Sequence, residues 1–160
     1  MKHNNPKRTT VTRVLIVVLF AFIFQATLAQ AKWDSEGWLI LLKVKFGPKF
    51  LKQYNETYRE PIISPFLQEK IGKEMSLSGY YLPFELDSNR IILSKWPYAA
   101  CFFCGGGGPE SVIEVYLTEE RPKLTLDQVI RVRGKLKVND SDTEHLNFIL
   151  QEAKIIEDLK

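Results

Sequence analysis

The chain has 160 residues, 45% of them hydrophobic and 26% charged, with a formal net charge of +3 at pH 7. Four of its 22 basic residues lie within the first 31 positions, so residues 32–160 carry 18 basic and 19 acidic residues and a net charge of −1. A near-neutral domain lacks the positive surface that nucleic-acid binding requires, which argues against a nucleic-acid partner and against an oligonucleotide-binding role.

The first 31 residues have the pattern of a cleaved secretory signal. An apolar run covers residues 14–24, and Ala29 and Ala31 are the small residues of a cleavage site. The basic residues that precede the run are Lys2, Lys7, Arg8 and Arg13. The competing interpretation is an uncleaved anchor helix, but crossing a bilayer takes about 20 apolar residues, and Gln25 and Thr27 interrupt this run. We therefore predict a signal peptide over residues 1–31 and a periplasmic or secreted single domain over residues 32–160.

The first third of this domain gives mixed signals. Alternating apolar residues predict a first strand with one face formed by Trp38, Ile40, Leu42, Val44 and Phe46, ended by Gly47-Pro48. A weaker, helix-like spacing follows at Phe50, Leu51, Tyr54 and Tyr58. Ser64-Pro65 then matches a helix N-cap with proline at the first helical position, and Gly72 matches a stop. The sequence thus predicts one short helix that buries Phe66, Leu67 and Ile71.

Strand patterns dominate the remainder. Residues 73–84 form a predicted strand with a bulge or bend at Gly79, and shorter strands are predicted over residues 90–94 and 111–118. In residues 128–138 the apolar side chains alternate with Arg131, Arg133, Lys135 and Lys137, and Gly134 suggests a barrel corner. A last strand is predicted from Leu146 onward. These elements favour a mainly β fold, a small twisted OB-like β-barrel with one short inserted helix, with a small β-sandwich as the alternative.

The segment with the most distinctive chemistry is residues 95–110, which we call the aromatic loop. It combines aromatic residues, two cysteines three positions apart and a run of four glycines. We expect it to be the recognition element, because loops on rigid scaffolds commonly carry binding. The candidate binding residues are Trp96, Tyr98, Cys101, Phe102, Phe103, Cys104, Gly105 and Gly106.

Three interpretations of Cys101 and Cys104 stay open. A local disulfide that fixes the loop suits an oxidising compartment. A redox pair needs a lowered thiol pKa, and the glycines that follow provide no helix N-terminus to lower it. A site for zinc or another soft metal would take these two thiolates together with His145, the one histidine of residues 32–160.

The basic side chains on alternate positions of residues 131–137 could contact an anionic ligand or lipid headgroups. The simpler interpretation, which we favour, is the solvated face of a strand, since the domain as a whole is nearly neutral.

Five short segments carry a resemblance to a known family: residues 79–83, 93–94, 100–106, 109–111 and 132–136. The most specific is Cys-Phe-Phe-Cys-Gly-Gly at residues 101–106. The chain resembles a family of small exported proteins of unknown function from Gram-negative bacteria, in particular from Bacteroidetes. The resemblance implies an OB-like or barrel-like periplasmic or lipid-anchored protein that assists an export or metal-uptake system, and it implies no catalytic residue.

The functional expectation is therefore a periplasmic binding or accessory module rather than an enzyme. Its partner would be an envelope or transporter protein, and it would contact the membrane only through an uncleaved signal or through that partner. The alternative is a thiol-redox protein in which Cys101 and Cys104 cycle.

Overall fold

A computed structural model describes residues 36–52, 55–84 and 87–158 of the chain. The signal-peptide prediction and the assignment of Tyr54 lie outside these residues. Ser35–Lys160 forms one compact unit. In the part of the chain that the structure describes, no helix has the length and apolarity needed to cross a bilayer.

The described residues include two α-helices and seven strands. The helices are α1 (Glu36–Leu41) and α2 (Pro65–Lys70). Strands β1 (Phe46–Leu51) and β2 (Glu56–Pro61) form a separate antiparallel hairpin. The other five strands are β3 (Glu74–Leu82), β4 (Arg90–Ser94), β5 (Val112–Leu117), β6 (Val129–Val138) and β7 (Phe148–Asp158).

The five strands β3 to β7 close into a barrel in the order β3-β4-β5-β7-β6, with β6 pairing back to β3. All neighbours are antiparallel except β5 and β7, which run parallel. The last strand, β7, thus lies between β5 and β6, which is the Greek-key order of an OB barrel. The predicted OB-like barrel is confirmed.

The barrel interior is filled by the alternate apolar side chains that the strand period predicts. In β6, Ile130, Val132 and Leu136 are fully buried while Arg133 and Lys135 are exposed. At Gly134 a Cβ atom would lie 2.7 Å from the Gln151 carbonyl oxygen, and the pairing with β7 shifts register there. The glycine thus permits the irregularity that the sequence predicted at this position.

The prediction of a first strand over residues 38–46 is wrong. Residues Glu36–Leu41 form a helix that buries Trp38 and Leu41, three positions apart on one face. The indole Nε1 of Trp38 donates a hydrogen bond of 2.6 Å to the Ser78 carbonyl oxygen, which fastens α1 to β3. Gly47-Pro48 lies inside strand β1 instead of ending a strand.

The helix-like spacing after Phe50 is also misleading, because residues 56–61 form the second strand of the hairpin. The predicted short helix is confirmed as α2. The Leu67 amide donates to the Ser64 side chain at its N-terminus, and Gly72 follows with a φ of +76°. Leu67 is fully buried, whereas Phe66 is exposed and Ile71 only half-buried.

The predicted bulge at Gly79 is absent, because the pairing of β3 with β6 runs through this residue without a shift. A Cβ atom at Gly79 would lie 2.8 Å from the Ser94 carbonyl oxygen and 3.2 Å from the Trp38 ring. The glycine therefore serves a close approach between β3, the end of β4 and α1.

Candidate functional site

The aromatic loop connects β4 to β5 and contains three short 3₁₀ turns. Its attachment point is Cys101, which is fully buried in a small apolar cluster with Leu82 and Ile92. Phe84 and Leu146 pack against the same cluster. The loop is therefore seated on the outside of the barrel through the first of its two cysteines.

Backbone contacts fix the shape of the loop around this point. The Cys101 carbonyl oxygen accepts hydrogen bonds from the amides of Cys104 and Gly106, both 3.1 Å long. Gly105 has a φ of +78°, a conformation that suits glycine. A Cβ atom on Gly106 would lie 2.3 Å from the Ala100 carbonyl oxygen, so this turn admits only glycine. The glycines thus close the loop tightly over the cysteine pair.

Three aromatic side chains of the loop remain exposed although its backbone is anchored. Trp96 is 43% exposed, and Tyr98 and Phe103 are each 44% exposed. The Phe103 ring contacts the rings of Phe84 and Phe102, with centroids 4.7 and 5.3 Å apart. The Tyr98 amide donates a 2.7 Å hydrogen bond to the Asp127 carboxylate. The candidate binding residues thus share one loop, but Cys101 serves as its anchor and not as an accessible group.

The two cysteine sulfurs lie 3.9 Å apart, with Cys101 buried and Cys104 exposed, and both are free thiols. Desolvation, together with the hydrogen bond to Cys101, raises the pKa of the Cys104 thiol above its ordinary value. A raised pKa favours the unreactive thiol form, which is the opposite of what an activated redox cysteine needs.

His145 does not join the cysteines in a metal-binding group: among the described residues, no three or more His, Cys, Asp and Glu side chains are placed so as to hold a metal ion. Instead its Nδ1 atom lies 3.1 Å from the carboxylate of Glu114.

Glu114 is the centre of a polar cluster that the sequence analysis missed. It is only 3% exposed, and its carboxylate accepts hydrogen bonds from Arg90 at 3.0 Å and from the Leu146 amide at 3.2 Å. The Tyr116 hydroxyl lies 3.4 Å from His145 Nδ1, and burial raises the pKa of this hydroxyl. The cluster ties β4 and β5 to the β6–β7 loop, which it holds close to the barrel. The one available signal was a lone glutamate in the apolar run of residues 112–117.

A pocket of about 260 Å³ lies between the β1–β2 hairpin and the β6–β7 loop. It is lined mainly by polar side chains of these two elements, and Phe102 and His145 also face it. The aromatic loop, the Glu114 cluster and this pocket are therefore neighbours. In OB barrels, oligonucleotides and oligosaccharides bind on the face of the second and third barrel strands, which here are β4 and β5. They also bind on the loops between the first and second strands and between the fourth and fifth, and the latter is the β6–β7 loop here.

Two of the basic side chains of β6 lie beside carboxylates, and Arg133 donates a hydrogen bond to the Ser76 hydroxyl. Lys135 lies 2.6 Å from Glu152, and Arg131 lies 3.8 Å from Glu157. This arrangement matches the favoured interpretation of a solvated strand face.

The strand order and the position of the loop define the class of protein: an OB-type barrel with an anchored aromatic loop between its second and third strands. No family model matches the chain, and no curated protein does either. Among solved structures, the chain is similar to a DUF3299 family protein from Pseudomonas aeruginosa, with a TM-score of 0.44 and 19% sequence identity. That similarity covers 62% of this chain and 70% of the other.

Proposed function

We propose that this protein is an exported binding module of the bacterial cell envelope, and that its aromatic loop recognises another envelope protein. The observation that carries the proposal is the anchoring of the loop. Cys101 is fully buried while Trp96, Tyr98 and Phe103 stay more than two-fifths exposed.

Anchored, exposed rings are suited to protein recognition for a physical reason. Large aromatic side chains bury much apolar area when a partner covers them. A loop whose backbone is already fixed loses little conformational entropy on binding, so more of that gain remains as affinity. The Phe84–Phe103 and Phe102–Phe103 contacts restrict the Phe103 ring before a partner arrives.

The test is a pull-down experiment with three forms of residues 32–160: the wild type, a loop variant and a control variant. Each form is immobilised and incubated with detergent-solubilised envelope from the source bacterium. The loop variant is Tyr98→Ser with Phe103→Ser, and the matched control is Phe50→Ser with Ile156→Ser, two apolar residues that are exposed elsewhere. We expect the wild type and the control to retain the same partner in equal yield, and the loop variant to lose at least tenfold. Equal retention by all three forms would exclude the loop as the recognition element.

The thiol-redox protein remains the second candidate, and the 3.9 Å separation of the sulfurs supports it because a small movement would allow a disulfide. The raised pKa of Cys104 and the burial of Cys101 weigh against rapid exchange. A Cys104→Ser variant decides between the two candidates. Full binding of the envelope partner by this variant would support the binding module. Loss of that binding, in a variant whose loop keeps its structure, would support thiol cycling.

The Cys101–Cys104 pair also has the spacing to bind a soft metal ion. Two thiolates on a tetrahedral zinc ion, each about 2.3 Å from the metal, are about 3.8 Å apart. The remaining ligands would come from solvent or from the bound partner. Intact mass with and without alkylation, measured together with metal content, separates the states of the pair. Two alkylatable thiols with stoichiometric metal indicate a metal site, whereas a mass two protons lower and no metal indicate a disulfide.

A further inference from the structure

The exposed apolar side chains of the domain are concentrated in its first third. Of the eleven large hydrophobic residues that are exposed in the described part of the chain, six lie between residues 39 and 66. Five of them form what we call the apolar patch, which consists of Leu39, Leu42, Ile62, Ile63 and Phe66.

The residues of the apolar patch lie in α1 and α2 and at their ends, and two contacts relate these elements to residues 43–45. Leu39 and Leu42 lie three positions apart, at the exposed side and end of α1. The Lys43 ammonium, next in the chain, lies 5.5 Å from the centre of the Phe66 ring. The Ile62 amide donates a 2.8 Å hydrogen bond to the Lys45 carbonyl oxygen, which brings Ile62 and Ile63 beside the same segment. Phe66 and Ile62 thus each have a contact with residues 43–45, the segment that directly follows α1.

Positive charge is concentrated in the same first third of the domain as the exposed apolar side chains. Residues 36–73 contain seven basic and four acidic residues, a net charge of +3. Residues 74–160 contain ten basic and fourteen acidic residues, a net charge of −4. The near-neutral total therefore conceals a cationic part that carries the apolar patch.

Two lysines lie close to Phe66, one residue of the patch. Lys43 and Lys70 both lie within 6 Å of the Phe66 ring centre, at 5.5 and 5.7 Å. Lys70 is also 3.3 Å from Glu69, so part of its charge is balanced. A cleft of about 540 Å³ opens beside α1 and α2, where three glutamates face four basic residues: Lys70, Lys73, Arg131 and Arg133.

We propose that the apolar patch docks onto an anionic lipid bilayer. Apolar side chains surrounded by lysines are the combination that binds a membrane interface, because the apolar groups enter the headgroup boundary while the ammonium groups attract anionic lipids. The proposal goes beyond the recognition function of the aromatic loop, which involves other residues. It also replaces the expectation that the domain contacts the membrane only through an uncleaved signal or through its partner.

Vesicle sedimentation of residues 32–160 tests the proposal without the apolar run. The vesicles are phosphatidylcholine alone or phosphatidylcholine with phosphatidylglycerol. The patch variant is Leu39→Ser, Leu42→Ser and Phe66→Ser, and the control is Leu126→Ser with Ile156→Ser, which are exposed elsewhere. Circular dichroism confirms that each form is folded.

We expect the wild type and the control to bind the phosphatidylglycerol vesicles, with the patch variant at least tenfold weaker. A Lys43→Gln, Lys45→Gln variant should lose several-fold of the preference for the anionic vesicles. Absence of binding by the wild type, or equal binding by the patch variant, would overturn the proposal. Light scattering provides a further check: a dimer that the patch variant disrupts, with no vesicle binding, would make the patch an interface between copies of this chain.

Discussion

Glu114 shows how one residue can organise a region that is distant in sequence. Its carboxylate is buried in β5, yet it contacts Arg90 on β4 and both His145 and the Leu146 amide in the β6–β7 loop. A buried carboxylate is tolerated only when such partners compensate its lost hydration. Removing the carboxylate would therefore leave the half-buried Arg90 charge with only the more distant Asp87 carboxylate, 3.8 Å away, and release the loop.

We predict that Glu114→Ala lowers the free energy of unfolding by about 3 kcal/mol, the usual cost of breaking a buried ion pair. Urea unfolding followed by tryptophan fluorescence measures the change. The exposed residue Glu119 provides the control, since Glu119→Ala should stay within about 0.5 kcal/mol of the wild type. Equal midpoints for the two variants would show that the Glu114 cluster does not stabilise the fold.

Cys104 gives a prediction about pH. Its pKa is raised in the folded protein, so the fold favours the protonated thiol. The stabilisation from this preference is complete below the pKa of the unfolded thiol and is lost as the pH rises through the higher folded value. We therefore expect iodoacetamide to alkylate Cys104 more slowly in the folded reduced protein than in urea. In the folded protein the alkylation rate should still increase with pH above the thiol pKa of the unfolded chain. Faster alkylation in the folded protein would favour the redox candidate.

At the scale of elements, α1 is attached to the barrel chiefly through Trp38, which is 1% exposed. Trp38→Ala should cost about 3–5 kcal/mol of unfolding free energy, as large buried side chains do. Trp38→Phe should cost about 1–2 kcal/mol, because the ring stays buried while the hydrogen bond to the Ser78 carbonyl oxygen is lost.

Denaturant titration with a fixed protein concentration measures both values. Trp96→Ala, which truncates an exposed tryptophan, should change stability by less than about 1 kcal/mol. If Trp38→Ala and Trp96→Ala proved equally mild, α1 would not be an integral part of the barrel domain.

The same helix shows where sequence patterns are ambiguous. Trp38, Ile40, Leu42, Val44 and Phe46 alternate as a strand does, yet burial follows the helical pair Trp38 and Leu41. The pattern misled because Leu42, which belongs to both the alternating set and the apolar patch, is hydrophobic without being buried, whereas Leu41 outside that set is fully buried. By contrast, strand β6 was predicted almost to the residue, because its apolar and basic residues alternate strictly and one face fills the barrel.

The candidate site was predictable only in part. The aromatic loop was recognisable because cysteines, glycines and aromatic residues coincide within 16 positions. The Glu114 cluster was not, because it depends on the pairing of Arg90 with Tyr116 across β4 and β5 and on a loop more than 20 residues further along. Such contacts are set by barrel closure, which no local pattern encodes.

At the scale of the whole molecule, we propose two separate binding surfaces on one small domain. The aromatic loop lies over β3 and β4 on the small cluster of Leu82 and Ile92. The apolar patch belongs to the cationic first third of the domain. The two surfaces share no residue, so variants of one leave the other intact, and each proposal can fail without the other.

The measurement that tests the central claim most directly is site-specific photocrosslinking in the native envelope, with a benzophenone amino acid in place of Tyr98 or Phe103. The same substitution at Ile156, which is exposed to a similar extent on β7, provides the control. We predict that both loop positions form the same discrete adduct with one envelope protein and that position 156 forms none. No adduct from the loop, or the same adducts from all three positions, would contradict the claim that the aromatic loop is the recognition surface.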